Sequence, residues 1–410
     1  MTNAVKKQNI RKDAFLRRIN SKSVIEIHEN SGQNVKKYIK EFWTSKQRKG
    51  NSIHEISYRA CFKSELPKYF IESLTSKGDI VYDPFMGRGT SIIEGALLGR
   101  QVIGNDINPL SQILVKPRLF IPKLEDVEQR LNEIKLNNRL KSQVDLSMFY
   151  HPQTFVEILS LRNYLIQKEK KNILDDVDLW IRMVATNKLT GHSKNFFSIY
   201  TLPPNQAISA SRQALINYKK QQIPPYKNVK EIILIKTKSL LSNIDANHVK
   251  ILKNIGKNCL LLSNDARFTP DIPNNHVQLT ITSPPFLNVI QYAQDNWLRC
   301  WFNGINVDKI SKKITVTSSL KEWTKFMNAV LAELFRITKP LGYVGVEVGE
   351  IDKGKILLDE VIVELGIKNG FKSEGICINR QTFTKTAQIW GVTNNTMGTN
   401  SNRIVLFSKP

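Results

Sequence analysis

A chain of 410 residues is too long for one ordinary core, so one large domain with an insertion, or two domains, is expected. Hydrophobic content of 41% is enough for a well-packed interior, and the absence of any run of about 18 apolar residues excludes a helical membrane span. The formal charge of +24 and pI near 9.8 point to a polyanionic partner, although much of the excess is lysine spread along the whole chain.

The N-terminus from Met1 to Lys7 lacks an apolar signal-peptide core, so a cytoplasmic protein is expected. Residues 1–50 are dense in Lys and Arg and poor in acids, which reads as a basic arm with short helices. Such an arm could track a phosphate backbone or remain a solvated terminus. Cys61, Cys259, Cys300 and Cys377 are far apart and lack both CxxC spacing and nearby histidines. They suggest neither a metal site nor a disulfide framework.

The segment from Tyr58 leads into a helix near Pro67, with Phe70, Ile71 and Leu74 at helical spacing. Asp79–Tyr82 then reads as a buried strand, Asp83-Pro84-Phe85-Met86-Gly87-Arg88-Gly89-Thr90 as a turn, and Ser91–Leu98 as a helix closed by Gly99. Gln101–Gly104 is a second strand ending at Asn105-Asp106, which completes a βαβ unit. Gly87 and Gly89 allow close backbone approach, and Asp106 at the strand tip can accept hydrogen bonds from two ribose hydroxyls. Ile92 stands at the third glycine position of the dinucleotide fingerprint, so a nucleoside without a diphosphate is expected.

Residues 116–255 interrupt the pattern with a mainly helical insertion. Helices are expected over Leu124–Leu140, Phe155–Ile166 and Val177–Leu189. The stretch Thr190–Gln206 mixes aromatics, amides and hydroxyls with His192 and Lys194, a makeup that suits nucleic-acid contact or a self-packed connector.

The sheet resumes at Cys259–Leu262, and the apolar run Val277–Ile281 ends in Thr282-Ser283-Pro284-Pro285-Phe286. Two prolines make this a rigid turn that presents a hydroxyl, backbone carbonyls and an aromatic ring at the carboxyl edge of a sheet. Such a turn can hold a planar base. Gln291–Phe302 reads as a helix with Tyr292 near the site, followed by a helix over Trp323–Ile337 and a strand over Tyr343–Val348. A helix over Leu357–Asn369 and strands over Phe371–Arg380 and Arg403–Phe407 complete the chain. The fold class expected is α/β: a Rossmann-like, doubly wound, mostly parallel sheet with a C-terminal antiparallel hairpin and a mainly helical insertion.

The turn Asp83–Thr90 together with Thr282–Phe286 resembles the paired signatures of S-adenosylmethionine-dependent amino-methyltransferases of DNA, and the Ser-Pro-Pro-aromatic form resembles their N4-cytosine branch. The resemblance covers roughly residues 55–115 and 255–410, and it implies S-adenosyl-L-methionine as cofactor and double-stranded DNA as partner. Asp83, Phe85, Gly87, Gly89, Thr90, Asn105 and Asp106 are the implied cofactor-binding residues of the first motif. Asp265 is implied at the adenine amino group. Ala60 and Phe62 match the methionine-side motif, although Arg59 and Lys63 stand where prolines are usual. Ser283, Pro284, Pro285 and Phe286 are implied in catalysis, with Thr282 and Tyr292 as candidate substrate contacts beside them; His192 and Lys194 are candidate substrate contacts from the makeup of their own loop, outside the resemblance. Residues 51–115 and 256–410 would form the methyltransferase domain and 116–255 the candidate target-recognition insertion. A restriction-modification setting with a companion endonuclease is compatible with this reading. N6-adenine or RNA amino-methylation is the rival within the class, and a non-catalytic nucleic-acid-binding protein is the rival outside it.

Overall fold

The computed structural model describes residues 3–30, 33–42, 50–59, 61–202, 207–285, 295–312, 319–351, 356–380 and 401–410. The chain opens with α1 (Asn3–Asn20) and the hairpin β1 (Val24–Asn30) and β2 (Gln33–Lys40), followed by α2 (Glu65–Leu74). The central unit is β3 (Ile80–Asp83), α3 (Thr90–Leu97) and β4 (Gln101–Asn105). Helices α4 (Leu110–Val115), α5 (Leu124–Glu133), α6 (Pro152–Lys170), α7 (Asp176–Lys188), α8 (Ala210–Lys220), α9 (Val229–Leu241) and α10 (Ala246–Gly256) precede β5 (Leu260–Leu262). Next come β6 (Val277–Thr282), α11 (Trp297–Phe302), α12 (Val307–Ser311), α13 (Leu320–Ile337) and β7 (Thr338–Val348). A short ribbon of β8 (Glu350–Ile351) and β9 (Ile356–Leu357), then α14 (Leu358–Lys368), β10 (Lys372–Arg380) and β11 (Ser401–Ser408), complete the described elements.

The main sheet has the order β1-β2-β10-β11-β7-β6-β3-β4-β5. Strands β7, β6, β3, β4 and β5 are mutually parallel, and β11 inserts antiparallel between β7 and β10. All six residues of β6 are buried, as expected for a parallel strand covered on both faces. Alternation assigns neighbouring side chains to opposite layers. Val81, Leu279 and Ile281 pack against α1 and α2, whereas Tyr82, Val344 and Val346 pack against α13 and α14. The result is a doubly wound Rossmann-like sheet. From β3 the chain moves outward through β4 and β5, then crosses back to β6 on the other side of β3. The carboxyl ends of β3 and β6 therefore flank the point where strand order reverses, the place where such sheets bind ligands.

Two parts differ from the sequence-based expectation. The basic N-terminal segment is not a set of short helices on a loose arm. It is one helix of 18 residues and a hairpin, with Phe15 and Ile19 in the core and β2 pairing in parallel with β10. Arg17 and Arg18 are exposed, whereas Lys12 pairs with Glu374 and the buried Lys37 donates to Glu360 at 2.9 Å, and the apolar positions are too few to show a clear period beside so many cations. The insertion, in turn, shares one hydrophobic cluster with the βαβ unit, joining Ile92 and Val102 to Trp180, Ile181 and Ile233. Helix α10, inside the expected insertion, packs on α3 as the crossover helix leading into β5. No helix among the described residues is long and apolar enough to cross a membrane.

The N-terminal packing has a measurable consequence. Phe15 is 2% exposed, with its ring centroid 6.2 Å from that of Tyr69 and 6.1 Å from that of Phe70. Phe15→Ala is expected to destabilise the protein by about 3–5 kcal/mol in urea denaturation, as for other aromatic truncations in a core. Lys→Gln at the exposed Lys22 should leave the midpoint unchanged.

Candidate active site

The carboxyl edge of the sheet is held by side chains of its own strands. Thr282, the last residue of β6, donates its hydroxyl to Asp83 Oδ1 at the end of β3 over 2.6 Å. The Phe85 amide donates to the same oxygen at 3.1 Å. Burial pushes the Asp83 carboxyl up to about 6, against the pull of those hydrogen bonds. One strand further out, Asn105 donates Nδ2 to the carbonyls of Pro84 at 3.3 Å and Asn264 at 3.0 Å, and its Oδ1 accepts the Asn264 amide at 2.8 Å. Thr282 and Asn105 are thus buried struts between strand ends, and neither lines the cleft. This differs from the contacts expected for them, because a short polar side chain at a parallel strand end meets the neighbouring strand before it meets a ligand.

The Gly-containing turn follows Asp83. Gly87 has φ +48° and Gly89, which caps α3, has φ +75°, both in the left-handed region that favours glycine. A Cβ at Gly89 would lie 2.4 Å from Val115 Cγ2, so this glycine serves packing of α3 on α4. A Cβ at Gly87 would sit 3.2 Å from the Tyr58 ring and on the wall of the cleft. The Gly87 amide donates to Asp106 Oδ2 at 2.9 Å, and the Asn108 amide donates to Oδ1 at 2.9 Å. These bonds fix the carboxylate at the tip of β4, and each oxygen keeps a lone pair for a further donor. Burial raises the Asp106 carboxyl, while the two amides favour its ionised form.

The cleft over this edge encloses about 900 Å³ including its open mouth. It is lined by Tyr58, Cys61, Phe62, Asp83–Arg88, Thr90, Asp106–Asn108, Asn264–Ala266, Ser283, Pro285 and Phe326. The Gly turn and the Pro-Pro turn therefore face one space. Trp323 of α13 donates Nε1 to the Pro285 carbonyl at 2.9 Å and stiffens the second turn. Phe85 and Phe326 form an aromatic wall with centroids 6.0 Å apart. Pro284 is buried beneath the turn.

Asp265 reaches the cleft, yet Arg267 engages both of its oxygens, at 2.9 and 2.5 Å, and holds its carboxyl below the usual range. His192 and Lys194 lie in an exposed stretch away from the cleft lining. The loop around them is self-packed, with Phe196 and Phe197 buried and Lys188 Nζ 4.3 Å from the centre of the Phe196 ring. Tyr200 stays exposed with Lys220 Nζ 4.6 Å from its ring centre. Ala60, Phe286 and Tyr292 lie outside the described residues.

Tyr58, Cys61, Arg88 and Phe326 line the cleft without having been singled out for it. Arg88 donates to the carbonyls of Ile56 at 2.8 Å and Phe62 at 3.2 Å and to Thr90 Oγ1 at 3.1 Å. Its place between the two glycines was the available signal. Phe326 had none, since an amphipathic helix offers no reason to separate one aromatic from the core face.

Residues 3–113 match the N6/N4 methyltransferase family, described as DNA methylase. The type II methyltransferase M.BsoBI of Geobacillus stearothermophilus is 27% identical over 289 residues, covering 64% of this chain and 55% of that protein. The type II methyltransferase M.MvaI of Kocuria varians is 24% identical over 284 residues, covering 62% of this chain and 58% of the relative. The chain thus spans little more than half the length of the curated relatives it matches. A solved S-adenosylmethionine-dependent methyltransferase of Methanosarcina mazei overlaps 83% of this chain and 96% of its own at 9% identity and a TM-score of 0.32. The sequence matches relate the chain to DNA amino-methyltransferases, while the fold assignment rests on the strand order itself.

The Asp83 strut gives a prediction with a definite sign. Its folded pKa of about 6 lies above the ordinary 3.8, so its contribution favours the fold below pH 4 and is lost as pH rises through 6. Asp83→Asn should remove this slope. Urea denaturation should find the wild type losing stability relative to the variant, on the order of 3 kcal/mol, between pH 4 and 7. A constant difference across that range would show that Asp83 titrates normally.

Proposed function

We propose that this protein transfers a methyl group from S-adenosyl-L-methionine to the exocyclic N4 of cytosine in double-stranded DNA, as the modification enzyme of a restriction-modification system. The observation that carries the reading is the convergence of Ser283 and Pro285 with Gly87 and Asp106 on one cleft. The matches to DNA methylases support the substrate class, and the net charge of +24 suits a polyanionic duplex. The insertion helices and their basic stretches are the candidate target-recognition surface.

The residues present fit the cofactor. Asp106, fixed by two amides and with lone pairs in reserve, would accept the ribose hydroxyls. The bare backbone at Gly87 admits the nucleoside, Phe85 and Phe326 would flank it, and Arg88 supplies positive charge for the amino-acid carboxylate. Bound there, the cofactor supplies an electrophilic methyl group. Asp265 would have to release Arg267 to reach the adenine amine.

On the substrate side the target amine is a poor nucleophile, because its lone pair is delocalised into the ring. Ser283 Oγ and the Pro284 carbonyl would accept its two hydrogens and favour the pyramidal nitrogen that attacks in line. The base must leave the duplex to reach them, and Phe286 is the residue proposed to stack on it. No strong base is required, because the nitrogen becomes acidic only after alkylation. Trp323 holds the Pro285 carbonyl, so the turn is positioned before the substrate arrives.

Ser283→Ala should lower kcat by about 10²–10³ while leaving cofactor affinity unchanged. Asp106→Ala should do the reverse, weakening cofactor binding by about 1–3 kcal/mol in calorimetric titration. Mass spectrometry of digested product DNA should give N4-methylcytosine. N6-methyladenine as the sole product would overturn the serine-based assignment and leave the cofactor site intact, whereas no modified base would overturn the reading as a whole.

A further inference from the structure

A serine hydroxyl can rotate, and a hydrogen turned toward the target amine would oppose its hydrogens and obstruct the pyramidal geometry. Something must therefore take the Ser283 hydrogen. β7 runs parallel beside β6 with Thr282 paired to Val346, so Ser283, the first residue past β6, and Glu347, the next residue of β7, come side by side at the carboxyl edge. Strand alternation sends Val346 and Val348 into the layer of α13 and α14, and Glu347 to the other side. Glu347 is 8% exposed, and Asn402 of β11 donates its Nδ2 hydrogen to one carboxyl oxygen. Burial raises the Glu347 carboxyl, while the Asn402 amide and the Ser283 hydroxyl both favour its ionised form. From the segment before α2, the Cys61 thiol is raised by burial first, with Arg88 opposing and the Glu347 charge adding to the rise.

We infer that Glu347 is a positioning residue, which accepts the Ser283 hydroxyl hydrogen and so holds the serine as a pure acceptor toward the amine. The inference rests on the methyl-transfer reading of the site. A hydroxyl has one hydrogen and two lone pairs, so committing the hydrogen to Glu347 leaves both lone pairs for the substrate. Charge assistance from the carboxylate also makes the serine oxygen a stronger acceptor. Asn402 holds the other side of the carboxylate, which keeps Glu347 from rotating into the cleft.

The test uses the full chain with S-adenosylmethionine and unmethylated genomic DNA. Glu347→Ala should lower kcat by about 10- to 100-fold, less than Ser283→Ala, with the cofactor Kd unchanged. Glu347→Gln, whose amide oxygen can still accept from Ser283 while Asn402 turns its amide over, should recover most of that loss. The double variant of Ser283→Ala and Glu347→Ala should be no slower than Ser283→Ala alone, because no hydroxyl remains to be oriented. Losses that multiply in the double variant, equal rates for Glu347→Ala and Glu347→Gln, or a wild-type rate in Glu347→Ala would each overturn the inference. If the alanine variant unfolds, the same cycle run with Glu347→Met, which fills the space but has no oxygen to take the hydrogen, decides in its place. A wild-type protein that transfers no methyl group would instead overturn the reading beneath it.

Discussion

The hydrogen bond from Thr282 to Asp83 joins two strand ends that lie 199 residues apart in the chain. Parallel strands cannot be closed by a tight turn, so nothing local sets the relative height of β3 and β6. Their backbone ladder is short, with Val81 paired to Leu279 and Tyr82 to Thr280. The buried carboxylate and hydroxyl extend the pairing past the ladder's end and bring the turns that follow each strand to a common level. Asn105 repeats the device toward β5. Every distance across the cleft depends on these struts, and polar residues at such positions are confined to donors and acceptors that satisfy one another.

The same logic explains why the helical stretch between β4 and β5 does not behave as an appended unit. Trp180 is fully buried and donates its indole N–H to Thr237 at 3.1 Å, tying α7 to α9. Those helices share their apolar cluster with α3 and α4, the helices that present Gly89 and follow Asp106. A surface packed onto the walls of the cleft would suit the target-recognition role proposed for the insertion. At the opposite edge, β2 continues the sheet beyond β10, and α1 covers the layer under α2.

Much of this was legible in the chain. The βαβ unit stood out because strand, glycine turn, helix and strand follow within 30 residues and each obeys its own periodicity, and the structure moves their ends by only one residue. The Pro-Pro turn was legible because proline restricts its own backbone wherever it occurs. What remained hidden depends on distant partners. Thr282 and Asn105 carry side chains equally able to bind a ligand or a neighbouring strand, and only the strand order decides. Asp265 looks available until Arg267, two residues on, is seen folded over it. The N-terminal helix was obscured by its lysines, since composition reports what a surface carries and not whether a buried face lies behind it. Glu347 is the clearest case: within a strand of mostly small and apolar residues it resembles an accident, and the role inferred for it comes from Ser283, just past the end of the neighbouring β6.

The charge of the cleft floor runs against that of the whole protein. The chain carries an excess of 24 positive charges, yet Asp83 and Asp106 line the cleft where β3 and β4 end, and Glu347 lies buried near the end of β7. All three have carboxyls pushed up by burial and held toward ionisation by hydrogen bonds. A positive exterior would draw the proposed duplex in, while acids at the floor repel phosphate and favour a cation. In the proposed reaction the two demands are separate in space: the backbone stays at the rim, a neutral base descends, and the sulfonium sits over carboxylates. A uniformly basic cleft would invite phosphate to the place the base must occupy. Asp83, Asp106 and Glu347 stand at strand ends in a chain whose net charge is strongly positive, and that local placement, more than the net charge, suits the proposed handling of one extruded base.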